Sequence, residues 1–287
     1  MRLATLVHQT RQTAARVVDD HAYLATGDAY RSVLDIIDAG PVGLDAFSDL
    51  DRLIQVELKE CKLLAPIPRP RSNIMCLGLN YLEHVNENSR IMGRKVNAPE
   101  HPIVFTKAPG SVNSPQGDIV LDTNVTRKLD WEVELAVVIG KGGKGILASN
   151  AMQHVFGYTV LNDVTARDLQ RQHKQFFIGK SLDGACPMGP LIVTADEIGD
   201  PHELDICSRV NDQIQQTANT RQMMFKVPEI IEILSRTRTL EAGDIIATGT
   251  PSGVGVAQDP PRFLQAGDIL ESEISGIGCL RNQIIAE

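Results

Sequence analysis

Trp131-Glu132-Val133-Glu134-Leu135-Ala136-Val137-Val138-Ile139-Gly140 is apolar apart from its two glutamates. A near-continuous apolar run of this length, closed by glycine, predicts a buried strand. Side chains alternate faces along a strand, so Glu132 and Glu134 point the same way, in line with Ala136 and Val138. Two carboxylates that close in a low dielectric do not both stay ionised without a compensating cation. No basic residue lies within the stretch; Lys128 precedes it and Lys141 follows it. The pattern therefore points to a divalent metal, unless this is an edge strand with both acids in solvent.

Outward from this strand the chain is mostly β. Strands are expected at Ile74 to Leu79, Pro102 to Phe105, Ile119 to Leu121, Phe156 to Leu161, Leu191 to Thr194, Leu204 to Val210, Asp244 to Thr248 and Ile269 to Ile274. Helices are expected at Ala148 to His154, Thr165 to His173 and Val227 to Arg236. Many short strands, glycine turns and few helices indicate an α+β fold around a large curved sheet or barrel. Residues 1–65 form a small N-terminal α/β module. It has short strands at Leu3 to Val7 and Val17 to Leu24, a helix over Tyr30 to Ala39 stopped by Gly40 and Pro41, and a second helix after Gly43. The proline-rich Ala65 to Arg71 is a stiff connector, and residues 66–287 form the main domain.

The 287 residues suit one large domain or a large one with a small companion, and the 43% hydrophobic content suffices for a core. A net charge of −8 without a polybasic run excludes nucleic acid as an expected partner. Five cysteines without C-x-x-C spacing support neither a zinc site nor a disulfide framework, which fits a reducing cytoplasm. No leader-like segment is read at the N-terminus, and no apolar run approaches the roughly 18 residues of a membrane helix.

Four further constellations carry chemistry. Asp163, ending another apolar run, supplies a third carboxylate, and three carboxylates with water suit Mg2+ or Mn2+. In Asn80-Tyr81-Leu82-Glu83-His84-Val85-Asn86-Glu87, a helical turn puts His84 and Glu87 on one face. A carboxylate that fixes an imidazole tautomer makes a water-activating pair; the alternative is a surface pair. Arg167 and Gln170 share a helical face just after Asp163, suited to a substrate carboxylate and carbonyl, or equally to a helix surface. Lys180, after Phe176-Phe177-Ile178, is either a snorkelling surface lysine or a buried cation that stabilises an enolate. In Thr248-Gly249-Thr250-Pro251-Ser252-Gly253, Thr250 offers a hydroxyl to a substrate, or the segment is a plain turn; it is no Walker loop.

Taken in order, GLNYLEHVNE, PIVFTKAPGSV, LDWEVELAVVIGK, GYTVLNDVTARDLQ, GKSLDGACPMGPLIVTADEI and LEAGDIIATGTPSGVG give a chain that resembles the fumarylacetoacetate hydrolase superfamily from about Ile74 onward. The resemblance implies a mixed β-roll, usually in a homodimer. It implies Glu132, Glu134 and Asp163 as ligands of Mg2+ or Mn2+, with Ca2+ a stand-in in crystals. His84 and Glu87 become the water-activating dyad on a lid of roughly Glu83 to Pro99. Lys180 becomes the active-site lysine, Arg167 and Gln170 the substrate-contacting pair, and Thr250 the oxyanion contact. A fourth acidic ligand, as in fumarylacetoacetase itself, is not found, and the first 65 residues are unlike that enzyme's N-terminal domain. Both departures favour the smaller bacterial-type members. The expected reaction is metal-dependent C–C hydrolysis of an acylpyruvate-like 2-oxo acid through an enolate. Oxaloacetate decarboxylation or 2-hydroxydienedioate isomerisation on the same residues is the alternative, and a metal-binding pseudoenzyme a third.

Overall fold

The computed structural model describes residues 1–287. Val133–Ile139 lies inside a 12-stranded sheet, and all seven of its residues are buried. It pairs antiparallel with Val155–Asn162 on one side and Ile245–Ala247 on the other. Its two faces feed two different cores, which is why its apolar run is continuous rather than alternating. Val133, Leu135, Val137 and Ile139 pack with Ile206, Ile274 and Leu280 and with Ile230, Ile231 and Leu234 of the helix Val227–Thr237. Ala136 and Val138 pack on the other side with Leu3, Val33, Ile36, Phe47, Ile67 and Ile192.

The strand begins at Val133, so Glu132 stands in the extended segment just before it rather than within it. The sheet is open and not a barrel: its spatial path runs from Ile54–Glu57 at one edge to Ile103–Lys107 at the other. A five-stranded sheet built from Asp205–Val210, Gln213–Asn219, Ile269–Ile274, Gly278–Ala286 and Ile119–Leu121 covers one face.

Residues 1–65 extend the large sheet. Arg2–His8 pairs with Cys186–Thr194, with Leu3 opposite Ile192, and Arg11–Val18 pairs with Arg2–His8. The segment Val17 to Leu24 is not one strand: it turns at Asp19, whose φ of 50° ends Arg11–Val18 before His21–Leu24 begins. Val33–Ala39 is helical and opens on a capping box in which the Asp35 carboxylate accepts from Ser32 N at 2.7 Å.

The topology leaves one end of the large sheet as a meeting point. The start of Val133–Ile139 lies there, with Val133 opposite Asn162 at the end of its neighbour. Ile245–Ala247 and Ile74–Gly78, parallel to each other, also end there. The segments that leave these strand ends carry Asp163, Thr250 and the helix Leu82–Met92.

Candidate active site

Glu132, Glu134 and Asp163 converge at this end, each offering a carboxylate oxygen within 4.8 Å of the others. All three are buried. The strand itself holds no basic residue, and the sequence offers Lys180 alone as a buried cation near these acids. Three cations arrive from distant segments: Lys107 ends the strand Ile103–Lys107, Arg167 starts the helix Arg167–Gln172, and Lys180 ends the short helix Phe177–Lys180. Lys180 Nζ donates to Glu132 Oε2 at 2.7 Å and to Asp163 Oδ2 at 2.6 Å. Lys107 Nζ lies 2.9 Å from Asp163 Oδ1, and Arg167 Nη2 lies 2.7 Å from Glu132 Oε1. These last two are close charge contacts without an aligned hydrogen bond.

The oxygens of Glu132 and Asp163 therefore all face cations, whereas Glu134 does not share in this. Its Oε2 accepts from Gly249 N at 2.8 Å, and its Oε1 is buried without a partner. Burial, reinforced by the charges of Asp163 and Glu132, raises the Glu134 carboxyl well above the usual range. Glu132 moves the other way, to about 2: burial opposes ionisation, but Lys180 and then Arg167 and His84 outweigh it. Burial likewise opposes the charge on Lys180, and Asp163 and Glu132 override it, so the ammonium persists. A divalent cation fits this set. The donors are all oxygen, they are gathered within coordination reach of one centre, and Glu134 Oε1 is a buried anion-capable atom that nothing else satisfies.

His84 and Glu87 lie on the helix Leu82–Met92 and are both buried. His84 Nδ1 is 2.8 Å from Glu87 Oε2. Glu87 Oε1 accepts from Gly253 N at 2.9 Å, which docks the helix on the loop after Thr250. Helical structure ends at Gly93, so the expected lid over Glu83 to Pro99 is a helix followed by coil.

His84, Glu132, Arg167, Gln170, Lys180 and Thr250 line a single cavity of about 540 Å³. The other three expected site residues support it: Glu87 holds His84, while Glu134 and Asp163 complete the acid cluster. Gln170 Oε1 accepts from Arg167 Nη1 at 3.2 Å, which leaves its amide NH2 as the donor. The Thr250 hydroxyl donates to Val133 O at 2.9 Å and accepts from Gln216 Nε2 at 2.8 Å. Its one proton is thus committed to the fold and is not free for a substrate oxyanion.

Three supporting residues escape the sequence patterns. Asp130 is fully buried and accepts from Arg167 Nε at 2.7 Å, Trp131 N at 2.9 Å, Gly255 N at 2.7 Å and Val256 N at 3.0 Å. It ties Arg167 to the loop that docks the His84 helix. Lys107 is fully buried and also donates to Val164 O at 3.1 Å. Gln216 joins Thr250 to Ser208 and Val133. Lys107 closes the apolar run Ile103-Val104-Phe105, which was an available signal, whereas Asp130 lies among Lys128, Trp131 and Glu132 and had none. Nothing in the polar stretch Gln213–Asn219 distinguishes Gln216.

The model of the fumarylacetoacetate (FAA) hydrolase C-terminal family matches residues 73–285. Oxaloacetate tautomerase YisK of Bacillus subtilis is 55% identical over 228 residues, which cover 79% of this chain and 74% of that one. The mitochondrial oxaloacetate tautomerase FAHD2A of Bos taurus is 46% identical, over 79% of this chain and 70% of its own. The solved structure of the fumarylacetoacetate hydrolase from the psychrophile Exiguobacterium antarcticum superposes with a TM-score of 0.89 at 40% identity, covering 100% of both chains. A match across every segment that builds the cavity, with this acid cluster at its base, means that the chain belongs to the fumarylacetoacetate hydrolase family.

Proposed function

We propose that the protein is a divalent-metal-dependent tautomerase that interconverts the enol and keto forms of oxaloacetate. One observation carries the proposal: His84, fixed through Nδ1 by Glu87, shares a cavity with Lys180 and Glu132 of the acid cluster. The names of the relatives at 55% and 46% identity support the choice of reaction.

Tautomerisation moves one proton between C3 and the oxygen on C2. Glu87 accepts from Nδ1–H, which leaves Nε2, 3.4 Å from Asn88 Nδ2, as the basic nitrogen that takes the C3 proton, passes it to the C2 oxygen and carries it back in the reverse direction. Lys180, held charged by Asp163 and Glu132, donates toward the C2 oxygen as negative charge develops there. The Gln170 amide and the Arg167 guanidinium orient the C1 carboxylate, with Arg167 itself held by Asp130. Glu132, Glu134 and Asp163 would hold Mg2+ or Mn2+, which would supply Lewis acidity toward the 2-oxo acid head.

Hydrolysis of an acylpyruvate is the second reading, favoured by the likeness to a solved fumarylacetoacetate hydrolase; there the same imidazole would activate water. Five free cysteines support a reducing compartment, for which we take the cytoplasm, and no helix is long and apolar enough to cross a membrane. The test follows the decay of enol-oxaloacetate absorbance with and without Mg2+, alongside acetylpyruvate cleavage and pyruvate release from oxaloacetate. Metal-dependent acceleration of enol decay well above both other reactions is expected. Acetylpyruvate cleavage that outpaces it would replace the tautomerase with the hydrolase.

A further inference from the structure

On the helix Leu82–Met92, Glu87 follows His84 by three residues and Asn88 follows it by four. Both positions share a helical face with His84, so one imidazole meets two side chains of its own helix. Glu87 Oε2 lies 2.8 Å from Nδ1, and Asn88 Nδ2 lies 3.4 Å from Nε2. Asn88 is half-buried and lines the same cavity as His84.

A second bond fixes which way the Asn88 amide is turned. Asn88 Nδ2 donates to the His84 main-chain oxygen at 3.1 Å. A carbonyl oxygen only accepts, so the amide turned the other way would set Asn88 Oδ1 against it, acceptor to acceptor. Bonding back to the carbonyl four residues earlier is ordinary for a polar side chain in a helix, and it uses one amide hydrogen. The other hydrogen is left for Nε2, which takes it only with a free lone pair. Asn88 and Glu87 therefore specify one tautomer from opposite sides of the ring, with the proton on Nδ1 and Nε2 bare. At 3.4 Å the Asn88 bond is long, so a substrate held by other groups displaces it at little cost.

The two neighbours act on a proton transfer in opposite directions. Glu87 favours a positive ring, because a carboxylate beside Nδ1–H stabilises the imidazolium. Asn88 favours the neutral ring, because a proton on Nε2 would face the amide N–H. We propose that Asn88 is a positioning residue for the proton transfer: it holds Nε2 of His84 bare before the substrate arrives and opposes retention of the proton afterwards. The proposal rests on the reading of His84 as the base.

Two substitutions of nearly the same size separate this role from packing. Asn88→Leu removes the donor, and Asn88→Asp replaces it with an acceptor for a proton on Nε2. With Mg2+ present, Asn88→Leu should lower kcat for enol-oxaloacetate by about tenfold, the worth of one hydrogen bond, with KM within about threefold. Asn88→Asp should lower kcat by about 100-fold or more, because the base is held protonated. A packing role predicts the reverse order, since Asp is closer to Asn in shape. Nitrogen NMR of the Mg2+-loaded protein labelled at its seven histidines, with His84 assigned by His84→Asn, reads the ring directly. Near neutral pH, Nε2 should be bare in the wild type and protonated in Asn88→Asp. A kcat within about twofold of the wild type in both variants, Asn88→Asp milder than Asn88→Leu, or a bare Nε2 in Asn88→Asp would each overturn the proposal. Full C3 exchange in His84→Asn would instead remove His84 as the base, while the ring signals still decide whether Asn88 holds Nε2.

Discussion

At the scale of single residues, Asp130 organises more of the site than its one charge suggests. Its carboxylate satisfies three backbone N–H groups and the Arg167 guanidinium in a fully buried place. Asp130→Asn removes the charge and turns an acceptor into a donor that faces other donors. Breaking one partner of a buried ion pair costs about 3–5 kcal/mol, so urea denaturation should show a loss near the lower end of that range. A loss under 1 kcal/mol would mean that Asp130 is not what holds Arg167. Glu134 should behave oppositely. Its carboxyl is pushed toward the neutral form and one oxygen has no partner, so Glu134→Gln should leave metal-free stability within about 1 kcal/mol of the wild type. The rise in melting temperature on adding Mg2+ should vanish in the same variant, since a ligand stabilises only a fold that binds it. A full Mg2+ response in Glu134→Gln would exclude Glu134 as a ligand. The glutamates were legible in the sequence because charge inside an apolar run is conspicuous. Of their counter-cations Lys180 was named as a possible buried cation, whereas Lys107 and the pairing of Arg167 with Glu132 were not legible, since they reach the acids only through tertiary folding.

At the scale of elements, the loop after Ile245–Ala247 decides how the His84 helix docks. Gly253 has φ of 105°, its N–H holds Glu87, and a Cβ there would sit 2.0 Å from Gln215 O. Gly253→Ala must therefore shift the loop, and strain of this kind is worth roughly 1–3 kcal/mol. The expected result is faster hydrogen exchange across Leu82–Met92 and a drop in kcat, with the sheet unaffected. Wild-type protection of that helix would show that it docks without the Gly253 bond. Element positions were mostly readable where a strand is buried on both faces, as at Val133–Ile139, Val155–Asn162 and Ile74–Gly78. They were missed where strands are mixed or polar. Gln213–Asn219 has one buried residue among seven and Gly278–Ala286 alternates, so neither presents an apolar run. The two glutamates were expected on one strand face, yet Glu132 lies one residue ahead of the strand, where it still reaches Lys180 and Arg167.

At the scale of the whole molecule, one end of the sheet gathers segments from Leu82 to Thr250 into a single cavity, and residues 1–65 buttress the far face of that sheet. Leu3, Val33, Ile36 and Phe47 share a core with Ile74, Cys76, Ala136, Val138 and Ile192. Deleting residues 1–65 would uncover that core and free one edge of Cys186–Thr194, which keeps Val155–Asn162 on its other side, so the truncated chain should aggregate on expression. A soluble, monodisperse 66–287 fragment with wild-type circular dichroism would contradict this. The resemblance in the sequence reached the family, but it left the reaction open, because hydrolysis, decarboxylation and tautomerisation share one enolate. The decisive event for a tautomerase is proton transfer at C3, which proton NMR reads directly as exchange of the oxaloacetate C3 hydrogens with D2O. With Mg2+ present, the wild type should accelerate that exchange, and His84→Asn should lose about 100-fold or more of the acceleration while keeping its Mg2+ affinity. Exchange in His84→Asn at the wild-type rate would contradict the account.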